Sequence, residues 1–252
     1  MKKIKLEVRN ISKSFDDRPV ISGVSFIVKE NEIVSLTGLS GSGKSTIFNI
    51  ISGVLKPDMG NVLIDNVDFT GRSGRLGYMQ QKDLLLPWKR LIDNVSLPLL
   101  LRGVRKHEAR EEAASHFKTF GLYGCEYLYP NQLSGGQRQR AALLRTWLFS
   151  GDLLLLDEAF GSLDAITRSQ MQDWLLEVFT NLRTTVLLIT HDLQEAVYLS
   201  DRIYILSGKP AKVREEIDVN LARPRDHKMA ADPAYGLALG SALEALSAAK
   251  LF

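Results

Sequence analysis

The chain has 252 residues, 45% hydrophobic and 24% charged, an ordinary globular composition for one large domain or a domain with an insertion. Lys+Arg 32 against Asp+Glu 29 leaves a net charge of +3, with no long run of one sign, so there is no whole-chain basic signal for nucleic acid. Cys125 is the only cysteine; it cannot form an internal disulfide, which suits a reducing compartment, and it reads as structural rather than catalytic.

The first ten residues are charged and alternating, without the apolar core of a signal peptide. The longest apolar runs, near Leu97–Leu101 and Leu153 to Leu156, are far too short to cross a membrane. A cytoplasmic protein is expected, meeting a membrane only through a partner.

In chain order, residues 4–15 and 19–28 alternate apolar and polar, predicting two half-buried strands joined at Asp16-Asp17-Arg18. Residues 32–37 predict a third strand running into glycines, and 44–54 a helix. Residues 61–65 and 76–80 predict short strands. From 91 to 120 apolar residues recur at helical spacing among charges, predicting a helical insertion that ends near Pro130. A further helix is expected over 137–148. Strand and helix then alternate through 152–156, 164–179, 185–190, 193–199 and 202–206, which argues for a parallel sheet covered by helices. From Pro224 the chain is Ala- and Leu-rich and predicts a terminal helix.

Gly38-Leu39-Ser40-Gly41-Ser42-Gly43-Lys44-Ser45 matches G-x-x-x-x-G-K-[ST] at every fixed position, between a predicted strand and a predicted helix. The glycines let the backbone turn tightly and present N–H groups to phosphate oxygens, and the helix start adds the positive end of its dipole. Lys44 is expected at the β- and γ-phosphates and Ser45 on Mg²⁺.

Leu153 to Leu156 followed by Asp157-Glu158 reads as a central parallel strand ending in two acids, and ligands bind beyond the carboxyl ends of such strands. On extended chain the two acids would diverge, Asp157 toward Mg²⁺ and Glu158 toward an attacking water. Leu133-Ser134-Gly135-Gly136-Gln137 opens a helix with Ser134 suited to the N-cap, a second anion site at a helix N-terminus.

LSGGQ at 133–137 is the signature of ABC proteins. With the phosphate loop and acidic strand end, the chain resembles ABC-transporter nucleotide-binding subunits over nearly its whole length. The resemblance implies an ATPase with a P-loop NTPase (RecA-like) α/β core, an N-terminal antiparallel β-subdomain and an inserted α-helical subdomain. The core would be residues 1–81 and 150–220, the insertion with the signature 82–149, and the tail 221–252. It also implies a head-to-tail homodimer of this chain, with ATP and Mg²⁺ between the phosphate loop of one copy and the signature of the other. ATP contacts would come from Phe15 on adenine, from Gly38, Leu39, Ser40, Gly41, Ser42, Gly43, Lys44, Ser45 and Thr46, and in trans from Ser134, Gly135, Gly136 and Gln137. Ser45, Gln81 and Asp157 would serve the metal. Glu158, His191 and Gln81 would serve catalysis, with Gln80 the other candidate for the glutamine role; spacing to Pro87-Trp88 favours Gln81. Ser162-Leu163-Asp164 matches the loop that crosses the dimer interface. His107, His116 and His227 match no motif and are expected at the solvated surface.

Leu85-Leu86-Pro87-Trp88, Asp93-Asn94-Val95 and the run Glu158 to Ala165 are similar to one subfamily, the ATPases of nitrate, sulfonate and taurine importers, some of which serve thiamine-pyrimidine precursors. The implied partners are a transmembrane permease gripped by the insertion and, indirectly, an extracytoplasmic solute-binding protein. The implied location is the cytoplasmic face of the membrane, peripherally. A soluble or non-import ABC-type ATPase is the alternative. Members acting on nucleic acid or ribosomes carry paired cassettes, coiled coils or zinc-binding cysteines, and this chain has one cassette and one Cys, so no nucleic-acid partner is expected.

Overall fold

The computed structural model describes residues 2–161 and 163–248. They form two compact units, one from residues 2–75 and 183–248 and the other from 76–161 and 163–182.

The first unit opens with β1 (Ile4–Phe15) and β2 (Arg18–Lys29), an antiparallel hairpin whose Phe15 pairs with Arg18. Asp16 and Asp17 have φ of 48° and 59°, the left-handed pair that a two-residue type I′ turn requires, so Arg18 belongs to the strand rather than to the turn. β4 (Met59–Ile64) pairs with β1, and a two-residue strand, β5 (Val67–Asp68), pairs with β4. Alternate residues of β1 and β2 are buried, including Leu6, Val8, Val24, Phe26 and Val28, as period-2 patterning demands.

The second sheet of this unit runs in the order β10 (Val213–Asp218), β9 (Arg202–Leu206), β3 (Ile33–Gly38), β8 (Thr185–Ile189). β3 is parallel to both β8 and β9, and β10 is antiparallel to β9. Every residue of β3, β8 and β9 is buried, which is why these strands are mainly apolar with no polar alternation, Ser35, Thr37, Thr185 and Arg202 being buried polar exceptions. Arg202 is buried within this sheet yet ionic: its Nε donates to Glu32 Oε1 at 2.6 Å and its Nη2 to Glu32 Oε2 at 2.9 Å. Burial works against that charge, but the bonds to Glu32 and Glu216 outweigh it and hold the guanidinium pKa above its ordinary value.

Helix α1 (Lys44–Ile51) is shorter than the predicted 44–54. Gly53 takes φ 76°, the left-handed conformation that ends helices, and a Cβ there would lie 2.1 Å from the Arg72 carbonyl oxygen. Helices α7 (Leu193–Leu199) and α8 (Pro233–Ala248) complete the unit, and α8 packs on α7, β9 and β10. Arg225, also buried, donates to the Val197, Tyr198 and Ser200 carbonyls at the end of α7.

In the second unit β6 (Gly77–Met79) runs parallel to β7 (Leu153–Asp157). The segment predicted as helical over 91–120 is three helices: α2 (Leu91–Val95), α3 (Leu97–Leu101) and α4 (Lys106–Phe117). Pro98 sits in the first turn of α3, and Gly103 at φ 85° stops it, so one continuous helix is impossible. Helix α5 (Gly135–Phe149) packs on α2, α3 and β6, and α6 (Ala165–Leu182) follows β7. His107 is exposed as expected, but His116 is half-buried, its ring 4.8 Å from the Trp147 ring in an edge-on contact. His227 is exposed and stacks on Tyr198 with centroids 4.4 Å apart.

Candidate active site

In the first unit the phosphate loop leaves β3 and enters α1. Gly41 and Gly43 take φ of 73° and 85°, and Gly43 is the N-cap of α1. Both positions need the left-handed backbone that glycine adopts without strain. Gly38 is confined differently: a Cβ there would crowd Leu206 Cβ at 3.0 Å and Ser42 Oγ at 3.1 Å. Lys44 is buried, and its Nζ donates to the Gly38 and Leu39 carbonyls, both at 2.9 Å, which keeps the ammonium over the loop. Ser42 is 2% exposed, and its Oγ has no hydrogen-bond partner among the described residues. A glycine cradle with a bent backbone, an internal ammonium and an orphaned hydroxyl fits a polyphosphate. Ser40 and Ser45 are exposed; Leu39, Thr46 and Gly43 are half-buried.

Phe15 lies at the end of β1, 45% exposed, with Lys13 Nζ 5.7 Å from its ring centroid. It is not a core side chain, and nearly half of its surface is exposed. His191 follows β8 and is exposed. Its neighbours are fixed: Asp192 N donates to Thr190 Oγ1 at 3.0 Å, and Asp192 Oδ1 caps α7 by accepting from the Gln194 and Glu195 N–H groups.

In the second unit Asp157 ends β7 and Glu158 begins a turn. The extended-chain divergence expected for these acids does not hold: Glu158 has φ 45°, and its carbonyl accepts from Gly161 N at 3.1 Å. The reversal of the backbone, not strand alternation, separates the two carboxylates. Each has a neighbour from the β6 end. Tyr78 Oη donates to Asp157 Oδ2 at 3.4 Å, and Gln81 Nε2 donates to Glu158 Oε2 at 3.3 Å. The strand therefore brings Gln81, rather than Gln80, to the acidic turn.

Helix α5 starts at Gly135 with Ser134 as its N-cap, as the sequence suggests, two residues ahead of the span 137–148, because Ser134 and Gln137 form a reciprocal capping box. Gln137 N donates to Ser134 Oγ at 3.2 Å, and Ser134 N donates to Gln137 Oε1 at 2.9 Å. Both side chains are thus engaged within the chain, and Gly135 and Gly136 carry the first-turn N–H groups that suit an anion. Ser162 lies outside the described residues; Leu163 is buried, and Asp164 Oδ1 accepts from Thr167 N at 3.0 Å in the first turn of α6.

The loop from Gln81 to Arg90 is held from two sides that the sequence did not disclose. Arg145 of α5 donates to the Asp83 carbonyl at 2.7 Å and to the Leu84 carbonyl at 2.9 Å. Asn94, fully buried, accepts from Leu86 N at 2.7 Å and donates to the Leu86, Lys89 and Arg90 carbonyls. The loop so fixed presents Trp88, 71% exposed, to the outside.

The donors that the resemblance implies for a metal, Ser45, Asp157 and Gln81, are a serine hydroxyl, an aspartate carboxylate and a glutamine amide, all hard oxygens. Among the described residues no group of three or more His, Cys, Asp or Glu could hold a metal by itself. That set fits Mg²⁺, which takes one or two protein oxygens and completes its shell with phosphate and water.

The ABC transporter family model matches residues 21–161, more than half of the chain. The chain belongs to the ABC transporter family. This ABC ATPase is 49% identical over 201 residues to the formylaminopyrimidine import ATP-binding protein of Halalkalibacterium halodurans, covering 80% of this chain and 78% of that one. It is 38% identical over 218 residues to the taurine import ATP-binding protein of Yersinia pestis, covering 86% of each. A dimeric bacterial ABC transporter cassette superposes with TM-score 0.73 at 31% identity, covering 86% of this chain and all of that one. The same cassette in a post-hydrolysis dimer with ADP and Pi gives 0.72 at 30% identity, with the same coverage. The mixed α/β architecture with its two kinds of sheet is thus the P-loop NTPase fold expected from the sequence. Among the described residues no helix is long and apolar enough to cross a membrane.

Proposed function

We propose that this ABC ATPase is the motor subunit of a bacterial importer of the nitrate, sulfonate and taurine type, working as a homodimer on the cytoplasmic face of the membrane. The observation that carries this reading is the similarity to import ATP-binding proteins over most of the chain. The exposed Trp88 on a loop tied down by Asn94 and Arg145 supports it, since a rigid aromatic anchor suits a protein partner, here the permease. A solute-binding protein would act through that permease. Residues 1–81 and 150–220 would form the nucleotide-binding core, 82–149 the insertion and 221–252 the tail.

In this reading Phe15 stacks on adenine, and the residues from Gly38 to Thr46 bind the phosphates through backbone N–H groups and Lys44. Ser134, Gly135, Gly136 and Gln137 of the second copy close the site. Closure is driven by the higher affinity of ATP for the closed dimer, and it moves the permease. Ser45, Asp157 and Gln81 would hold Mg²⁺, which when bound would neutralise charge on the phosphates. Glu158 draws a proton from the attacking water, Gln81 orients that water, and His191 contacts the γ-phosphate.

The test is capture of tagged Glu158→Gln protein from detergent-solubilised membranes of the native host with ATP and Mg²⁺. The variant should bind ATP, hydrolyse it about 10²–10⁴-fold more slowly and retain a multi-spanning permease. Recovery of soluble partners only would overturn the importer reading, and unchanged turnover would remove Glu158 from its role.

A further inference from the structure

The turn after β9 packs against the phosphate loop and carries a lysine at its tip. Ser207 N donates to the Lys212 carbonyl at 2.9 Å, and Lys212 N donates to Ser207 Oγ at 3.2 Å, which closes the turn. Ala211 is fully buried and bridges in parallel to Ile21 of β2. Ser22 N donates to the Ala211 carbonyl at 3.0 Å, and Ala211 N donates to the Val20 carbonyl at 2.8 Å.

This anchored backbone borders the loop at three glycines. A Cβ on Gly38 would meet Leu206, the residue before the turn, and a Cβ on Gly43 would lie 3.6 Å from Ala211 Cβ. A Cβ on Gly41 would lie 3.7 Å from Lys209 Nζ. The ammonium therefore lies beside the loop backbone at Gly41, at ordinary contact distance from where a Cβ would stand. Lys209 is exposed and makes no ion pair among the described residues, so no acid of those residues neutralises its charge.

We propose that Lys209 is a second nucleotide-binding cation, additional to Lys44, which strengthens the hold of the glycine loop on the polyphosphate of ATP or ADP. The proposal rests on the reading of residues 38–46 as the ATP site. A polyphosphate carries several negative charges into the cradle, and Lys44, held over the Gly38 and Leu39 carbonyls, supplies one positive charge. A second cation within a few ångströms lowers the free energy of the bound anion through partly solvated surroundings, an effect that salt weakens.

The experiment is calorimetric titration of ATP and ADP into the wild type, Lys209→Ala, Lys209→Arg and Lys44→Ala at low and high ionic strength. Lys209→Ala should bind ATP about three- to tenfold more weakly at low salt, a gap that shrinks as salt is raised. Lys209→Arg should stay within about twofold of the wild type, because the charge is kept. Wild-type affinity in Lys209→Ala, beside a clear loss in Lys44→Ala, would overturn the role of Lys209 and leave the ATP site standing. An equal loss in the Ala and Arg variants would also overturn it, since charge would not be the cause. No ATP binding by the wild type would instead overturn the site reading itself.

Discussion

The Tyr78 hydroxyl donates to Asp157 Oδ2 at 3.4 Å, tying β6 to the acidic end of β7. Burial first, then the charge of Asp157, push the phenol well above its ordinary range, so it stays a neutral donor at any working pH. It engages one oxygen of the carboxylate proposed to serve Mg²⁺. Tyr78→Phe should therefore keep its ATP affinity but need more Mg²⁺ for half-maximal turnover, with turnover lowered about three- to tenfold. A Mg²⁺ titration of ATPase rate checks this; an unchanged curve would make the contact incidental.

Phe15 should matter to nucleotide and not to folding. Its ring is 45% exposed, so Phe15→Ala should leave the melting temperature almost unchanged. Loss of a stacked ring should weaken ATP binding by about 0.5–1.5 kcal/mol, and Phe15→Trp should retain it. Equal affinity in all three proteins would end the stacking role.

Asn94 should behave in the opposite way. Its side chain makes one accepted and three donated bonds to loop backbone while fully buried, so Asn94→Ala leaves several polar groups unpaired. A loss of about 2–3 kcal/mol in urea unfolding is expected. Trypsin should also cut after Lys89 or Arg90 sooner than in the wild type. A loop no more cleavable than before would show that Arg145 alone suffices to hold it.

The alkaline limit of stability should depend on Tyr204. The residue is 2% exposed, and burial pushes its hydroxyl up to about 12 from an ordinary 10.0. The folded value lies above the unfolded one, so the contribution of the neutral phenol is fully present below about pH 10 and is lost as pH rises through about 12. The urea midpoint should fall in that window for the wild type. Tyr204→Phe should fall less steeply there, and parallel curves would remove Tyr204 as the titrating group.

What could be read from residues alone follows from where the physics is local. The glycine loop needs positive φ at fixed spacing, and β7 is an apolar run closed by two acids; both are properties of neighbouring residues. β10 was missed because its burial is confined to Ile217, while Arg214, Glu215 and Glu216 give an edge strand the look of a loop. The left-handed Glu158 was missed because nothing beside it demands that conformation. Tyr78, Asn94 and Arg145 act on groups that the fold brings to them. Arg145 reaches a carbonyl 62 residues away, and Tyr78 a carboxylate 79 away, separations no motif encodes.

Cys125 is the sole thiol, 7% exposed, and burial followed by the charge of Glu126 raises its pKa. The protein is thereby a nearly silent background for maleimide chemistry. A cysteine introduced at an exposed position such as Leu237 would accept a spin label or fluorophore many times faster than the native thiol. Distances across an assembled transporter could then be followed through the hydrolytic cycle with a single substitution and no prior removal of Cys125.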